Sequence, residues 1–378
     1  MSLLDDVSIV VTPNGYKAGE LYAVIPSDGA ADMDVTRATD ATRVDENGLI
    51  EEVLVNVPRI DYTGGGCPHI LIEPQRTNLI TYSEDFSQSY WTKSGVTVSL
   101  ETTIKSPNGG YNAYKISSGT SGNLNRIAGV TGQTKSIFVR TVSGTGTIGV
   151  LSYNGGSAST QNITEEWQRF DVLANTGDTD GTTFFAVDFR NSTLAEVLIW
   201  GSQLENGLNV TSYIPTSGST VTRNQDIISR DGIGSLVNSE EGVVFLEMAA
   251  LINGGSYRSI SLSDGTNTNV LEIDFAPTSN RLEVYFIING VSYLSPNSYT
   301  IVQTDYNKIA FSWEENNLKL YVNGIELVND LTATLLPNKF NKLKFTTSNG
   351  SFPFNGKVKQ LQVYTTALTD SQLAALTS

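Results

Sequence analysis

Short apolar runs rich in Val, Ile, Phe and Tyr alternate along the chain with turn clusters such as Ser106-Pro107-Asn108-Gly109-Gly110 and Asn323-Gly324. That pattern predicts many short strands rather than helices. In Ile309-Ala310-Phe311-Ser312-Trp313 the residues Ile309, Phe311 and Trp313 fall on one face, the period-two signature of a strand with one side buried. Leu318-Lys319-Leu320-Tyr321-Val322 repeats it, and Asn323-Gly324 supplies a hairpin turn before Ile325. Helical periodicity is confined to the C-terminus. There Thr369-Asp370 reads as a cap, and Leu373 and Leu376 lie three apart.

Three regions are expected. Residues 1–75 open with the strand Val7-Ser8-Ile9-Val10-Val11 and contain few large apolar side chains, so they are expected to need a partner surface or copies of themselves. Residues 76–225 carry strands at Ser136–Arg140, Gln168–Val172, Thr183–Val187 and Glu196–Trp200, spaced as in a β-sandwich. The Pro-, Gly- and Ser-containing stretch Tyr213–Thr220 reads as a boundary. Residues 226–378 carry strands at Val243–Met248, Leu271–Phe275, Leu282–Ile288 and Lys359–Val363, then the terminal helix.

Composition narrows the function classes. The chain has 378 residues and a formal charge of −15, with 24 Lys+Arg against 39 Asp+Glu. It lacks the basic excess that nucleic-acid binding requires. The single Cys, Cys67, excludes an intrachain disulfide and a Cys-based zinc site; the single His, His69, is the one imidazole a catalytic triad could use. Asp5 and Asp6 stand where a secretory leader carries positive charge, and no apolar run approaches the roughly 18 residues that span a bilayer. A soluble chain without membrane insertion is expected.

Residues 37–79, RATDATRVDENGLIEEVLVNVPRIDYTGGGCPHILIEPQRTNL, resemble a segment of tailed-bacteriophage fibre and spike proteins, including head spike fibre domains. NLITYSEDFSQSYWTKSGVTV and IWGSQLENGLNVTSYIPTSGSTVTRNQD open and close a module similar to phage carbohydrate-binding jelly rolls. YNKIAFSWEENNLKLYVNGIEL and FNGKVKQLQVYTTALTDSQLAALTS resemble a laminin-G-like, concanavalin-like sandwich. The resemblance implies an all-β virion structural protein. Residues 1–75 would be a virion-anchor region attached to a capsid or tail protein, 76–225 a carbohydrate-binding sandwich and 226–378 a laminin-G-like sandwich. A homotrimer on the virion surface presenting glycan-binding sites is implied. A decoration protein that binds no sugar and a glycan depolymerase are the competing readings.

Candidate chemistry follows. Cys67 and His69 are two apart, so on a strand they share a face roughly 7 Å apart, but Pro68 intervenes and no third orienting group is near in sequence. Glu272-Ile273-Asp274-Phe275 resembles the opening of the ExDxxE pattern of concanavalin-like glycoside hydrolases, yet Ala276 and Pro277 stand where the closing Glu belongs. On that count no enzyme is expected, and Glu272 and Asp274 read as outward polar residues of a strand. Trp91, Trp167, Trp200 and Trp313 read as core residues. Tyr153 and Tyr257, beside the Gly-rich stretches Ser152–Gly156 and Gly254–Arg258, are the aromatic candidates for sugar contact. No cofactor is required. The sandwich resemblance admits a structural Ca²⁺, for which Asp178 and Asp180 have the Asp-x-Asp-Gly look, although the twelfth position counted from Asp178 is Phe189 rather than the Glu of an EF-hand.

Overall fold

The computed structural model describes residues 6–119, 121–127, 133–151, 160–173, 183–330 and 333–378. These residues form strands throughout and one helix, so the protein is nearly all-β. They fall into two compact units where three regions are expected from the sequence. One unit comprises residues 1–40, 53–74 and 225–378, and the other 41–52 and 75–224.

In the first unit sixteen strands join one continuous sheet, fourteen along one path and two, Ile60–Asp61 and His69–Ile72, branching from Gly356–Tyr364. The order runs Val291–Thr300, Arg281–Ile288, Val270–Phe275, Arg258–Ser263, Lys342–Lys344, Ile227–Asp231, Met33–Thr36, Glu20–Ile25, Val7–Lys17, Gly356–Tyr364, Gly242–Ala250, Asn307–Glu314, Asn317–Val322, Ile325–Asp330. The sheet folds back on itself. Phe286, near one end of that order, lies with its ring centroid 5.2 Å from Phe311 and 6.4 Å from Trp313, near the other end. The core between the two faces is built from alternating side chains, Leu271, Ile273 and Phe275 on one strand and Ile309, Phe311 and Trp313 on another.

Most strands of the N-terminal segment complete this sheet, and its buried side chains join the same core; Ala41–Val44 and Ile50–Val53 pair only with each other. Val10 and Val11 of the strand Val7–Lys17 pair with Gln362 and Leu361, and His69–Ile72 pairs with Gly356–Val358. Parts of residues 1–75 thus pack against the chain's own last strand, whereas residues 41–52 belong to the other unit. A buried ion network ties the same segment down. Arg37 pairs with Asp226 at 3.0 Å, and Arg59 bridges Asp226 and Glu73, all with side chains 3% exposed or less. Removing one partner of such a network strands a buried charge.

The Asn323-Gly324 hairpin forms as its sequence predicts, with φ of 50° and 81°, the positive values a two-residue turn between twisted strands requires. The terminal helix spans Asp370–Thr377. Thr369 caps it, and Gln372 closes a reciprocal capping box onto the Thr369 backbone.

The second unit is a sandwich of two five-stranded antiparallel sheets. One holds Thr97–Leu100, Tyr114–Ser117, Glu196–Asn206, Gln133–Arg140 and Gln168–Leu173; the other holds Thr160–Ile163, Gly146–Val150, Thr183–Asp188, Asn123–Ile127 and Thr92–Ser94. Trp91 and Trp200 are buried as expected. Trp167 is not fully buried; its ring nitrogen donates to the Lys105 carbonyl at 2.8 Å, with the Arg140 guanidinium 5.9 Å from its ring.

Candidate functional site

The strand Val270–Phe275 sends Leu271, Ile273 and Phe275 into the core, so Val270, Glu272 and Asp274 share the opposite face. The antiparallel register sets Ile287, Tyr285 and Glu283 beside them on one flank. On the other flank stand Ser263, Ser261 and Ser259. Three serines in a row are too small to fill that face. A cavity of about 310 Å³ opens over the carboxylate row, lined also by Tyr257, Asn267, Thr347, Asn349 and Phe352.

Its aromatic wall is held rigidly. The Tyr257 and Tyr285 hydroxyls both donate to Oε2 of Glu283, at 3.2 and 2.9 Å. Glu283 is itself buried, and its other oxygen pairs with the Arg281 guanidinium at 2.7 Å. Glu283 is thus committed to positioning the two rings. The Phe352 ring lies 5.5 Å from that of Tyr257, 49% exposed on a backbone with φ of 48°. A left-handed conformation at a bulky residue is costly, and such strain concentrates at ligand sites.

Tyr257 is half-buried in the cavity wall rather than displayed on a free loop. Gly254 explains this. Its φ is 82°, a Cβ there would stand 2.8 Å from Ser279 Oγ, and its amide donates to the buried Gln303 side chain at 2.6 Å. Gln303 also donates to the carbonyls of Ala276 and Arg281, at 3.0 and 2.7 Å. The glycines permit a close-packed, pinned turn.

The polar wall is different. Asp274 is 2% exposed, and its Oδ1 has no hydrogen-bond partner, although Ser259 faces it across the register. Burial, and then the charge of Glu272, push the Asp274 carboxyl well above the usual carboxylate range. Burial also raises Glu272, whose carboxyl lies within hydrogen-bonding reach of Asp274. One proton held between the two relieves their repulsion. Glu272 and Asp274 do lie on the face away from the core, but that face is the wall of a partly open cavity, with Asp274 buried and Glu272 half-buried, rather than a free surface. Burial and the neighbouring Glu283 charge raise the Tyr257 phenol, and burial raises Tyr285, so both remain donors.

The second unit has a cleft of about 420 Å³ lined by Glu84, Asp85, Leu100, Asn112, Tyr114 and Pro215–Ser217. Its carboxylates are engaged. Glu84 accepts from Tyr213 at 3.0 Å and Asn112 at 2.7 Å. Asp85 accepts from Tyr114 at 2.9 Å and Gln88 at 2.7 Å. Burial raises Glu84 despite its two bonds; at Asp85 the hydrogen bonds outweigh burial and hold the carboxyl below its usual value.

Of the other sequence candidates, Tyr153, Asp178 and Asp180 lie outside the described residues. Among the described residues no three His, Cys, Asp or Glu side chains gather as a metal cage. Cys67 and His69 do not share a face as their spacing predicts. Cys67 is exposed, whereas His69 is buried on its strand with Nε2 3.3 Å from Asp61. Burial lowers His69 to about 4, a histidine kept neutral. Glu283, Tyr285 and Phe352 carry no local sequence signal; only the strand register and the fold of the 347–352 loop bring them to Tyr257.

Residues 250–374 match the concanavalin A-like lectin/glucanases superfamily, and every residue of the 310 Å³ cavity falls within that span. No curated protein matches the chain. Among solved structures, the IT-sialidase CBM40 of Ruminococcus gnavus bound to α2,3-sialyllactose is 18% identical, with a TM-score of 0.32 over 37% of this chain and 83% of that one. Domain 4 of the GH43 arabinanase AbnA of Geobacillus stearothermophilus, in complex with arabinotriose, is 20% identical with a TM-score of 0.32 over 46% and 84%. At these TM-scores the likenesses carry no argument about this chain.

Proposed function

We propose that the cavity of the concanavalin-like domain is a saccharide-binding site. The observation that carries this reading is the pair of tyrosines locked on Glu283, whose rings face a cavity with a carboxyl-lined opposite wall. A sugar ring presents an apolar C–H face and a rim of hydroxyl groups. Fixed aromatic faces suit the first, and the carboxyl groups with the Asn267 and Asn349 amides suit the second. The volume sits at the low end for small-ligand pockets, about 300–1,000 Å³, which fits one saccharide ring. The superfamily match of the surrounding residues, to lectins and glucanases, supports the same reading.

Binding is favoured over cleavage. Glycoside hydrolysis places two carboxyl groups about 5–10 Å apart, flanking the scissile bond. Here Glu272 and Asp274 occupy a single position within hydrogen-bonding reach of each other, and Glu283 is held by two tyrosines and Arg281. The setting we propose, a trimeric appendage on a phage particle that contacts host or environmental glycans, rests on the sequence resemblance of residues 37–225.

A glycan array probed with the full chain and with Tyr257→Ala tests the assignment. Signal from the wild-type chain that disappears in the variant supports it. A wild-type chain that binds no glycan overturns it and leaves the decoration protein as the reading.

A further inference from the structure

Resting on the saccharide reading of the same cavity, we infer that the bound residue presents a protonated amine, so that the ligand is an amino sugar with a free ammonium group rather than a neutral or acidic sugar. Three observations lead there. Asp274 Oδ1 is buried on the cavity wall with no hydrogen-bond partner, and Glu272, which accepts from the Ser348 backbone, stands beside it, so the wall holds two adjacent carboxyl groups of which one oxygen is unpartnered. Among the described residues no Lys, Arg or His lines the cavity, and the Arg281 guanidinium on the neighbouring strand is paired with Glu283. The remaining wall offers the rings of Tyr257, Tyr285 and Phe352, whose π faces attract a cation.

Two adjacent carboxyl groups, Asp274 buried and Glu272 half-buried, are relieved by a positive charge between them. In the free protein that charge is a proton. An incoming R–NH₃⁺ donates to both groups and takes the proton's place, and the displaced proton passes to the buffer. A carboxylated sugar would bring a further negative charge into the same space, and an N-acetylated sugar would bring an amide without charge. The site therefore discriminates by charge as well as by shape.

The test is titration calorimetry of the full chain at neutral pH with glucosamine and galactosamine, each beside its N-acetyl form, and with tetramethylammonium chloride as a cation without a sugar ring. The free amines are expected to bind at least ten-fold tighter than the N-acetyl forms. The observed heat should change between buffers of different ionisation enthalpy, which reports proton release. Asp274→Asn and Glu272→Gln should each abolish the discrimination, whereas Glu315→Gln, which removes an exposed carboxylate outside the cavity, should not. Thermal melts of each variant establish that it is folded, and the two cavity variants serve as checks on one another. Equal or tighter binding of the N-acetyl forms overturns the charge inference and leaves the saccharide reading standing. Binding of tetramethylammonium as tight as any sugar retains the cation and removes the saccharide. No binding by any of these ligands overturns both.

Discussion

Two cavities among the described residues, one in each unit, are built from similar residues and differ in how much of their hydrogen bonding is already committed. In the 420 Å³ cleft of the second unit, Glu84 and Asp85 accept from Tyr213, Asn112, Gln88 and Tyr114. In the smaller 310 Å³ cavity, Glu283 beside the wall is equally engaged, but Asp274, which lines it, has a buried Oδ1 without a partner. Volume alone would favour the cleft. Hydrogen-bond accounting favours the cavity, because a buried polar atom without a partner costs about 1–3 kcal/mol that a ligand can recover.

The largest expected effect on this contrast is on binding. Tyr257→Ala should weaken saccharide binding at least ten-fold, about 1.4 kcal/mol, as measured by calorimetry. Leu100→Ala in the cleft should leave it unchanged; a loss in that variant instead would move the site to the second unit. Next is Glu283→Gln. It replaces the charged acceptor of two tyrosine hydroxyls and leaves Arg281 without its ion pair, so it should lower stability by roughly 2 kcal/mol in chemical denaturation and also weaken binding by releasing both rings.

A third expectation concerns pH. Asp274 is faced by Glu272 on its own strand, by Glu283 on the next and by Ser259 on the other side, and its folded-state affinity for a proton is raised. The folded state therefore binds more protons than the unfolded chain above the usual carboxylate range. Its contribution to stability is complete below that range and is lost as pH rises through the elevated value. Asp274→Asn should flatten this decline, seen as a shallower fall of Tm with pH. His69 acts on the acid side with the opposite sign. Its folded value of about 4 lies below the ordinary 6.5, so its contribution is present above 6.5 and lost as pH falls towards 4. The smallest effect belongs to Tyr114→Phe, which removes one bond to Asp85 in the cleft. It should cost about 1 kcal/mol of stability and nothing in binding.

Much of the fold was legible in local pattern. The alternation of Ile309, Phe311 and Trp313, the Asn323-Gly324 turn and the capped helix from Asp370 all follow from spacings of two to four residues. What was not legible depends on pairing between distant segments. The strand Val7–Lys17 belongs to the C-terminal sheet because it pairs with Gly356–Tyr364, and no local feature of either strand announces the other. The candidate site divides the same way. Tyr257 could be singled out from its Gly-rich surroundings, but Glu283, which orients it, lies on another strand and becomes visible only through the register that sets it opposite Asp274. Glu272 and Asp274 looked like an incomplete catalytic motif on an outward face. The serine row beside them and the 347–352 loop turn that face into a cavity wall.

The most direct measurement of the central claim is a crystal structure of the full chain with the tightest ligand found on the array. The account predicts a sugar ring stacked on Tyr257 and Phe352, with a donor group within hydrogen-bonding distance of Asp274 Oδ1. Ligand density in the second-unit cleft, or on any surface that leaves Asp274 Oδ1 without a partner, would contradict it.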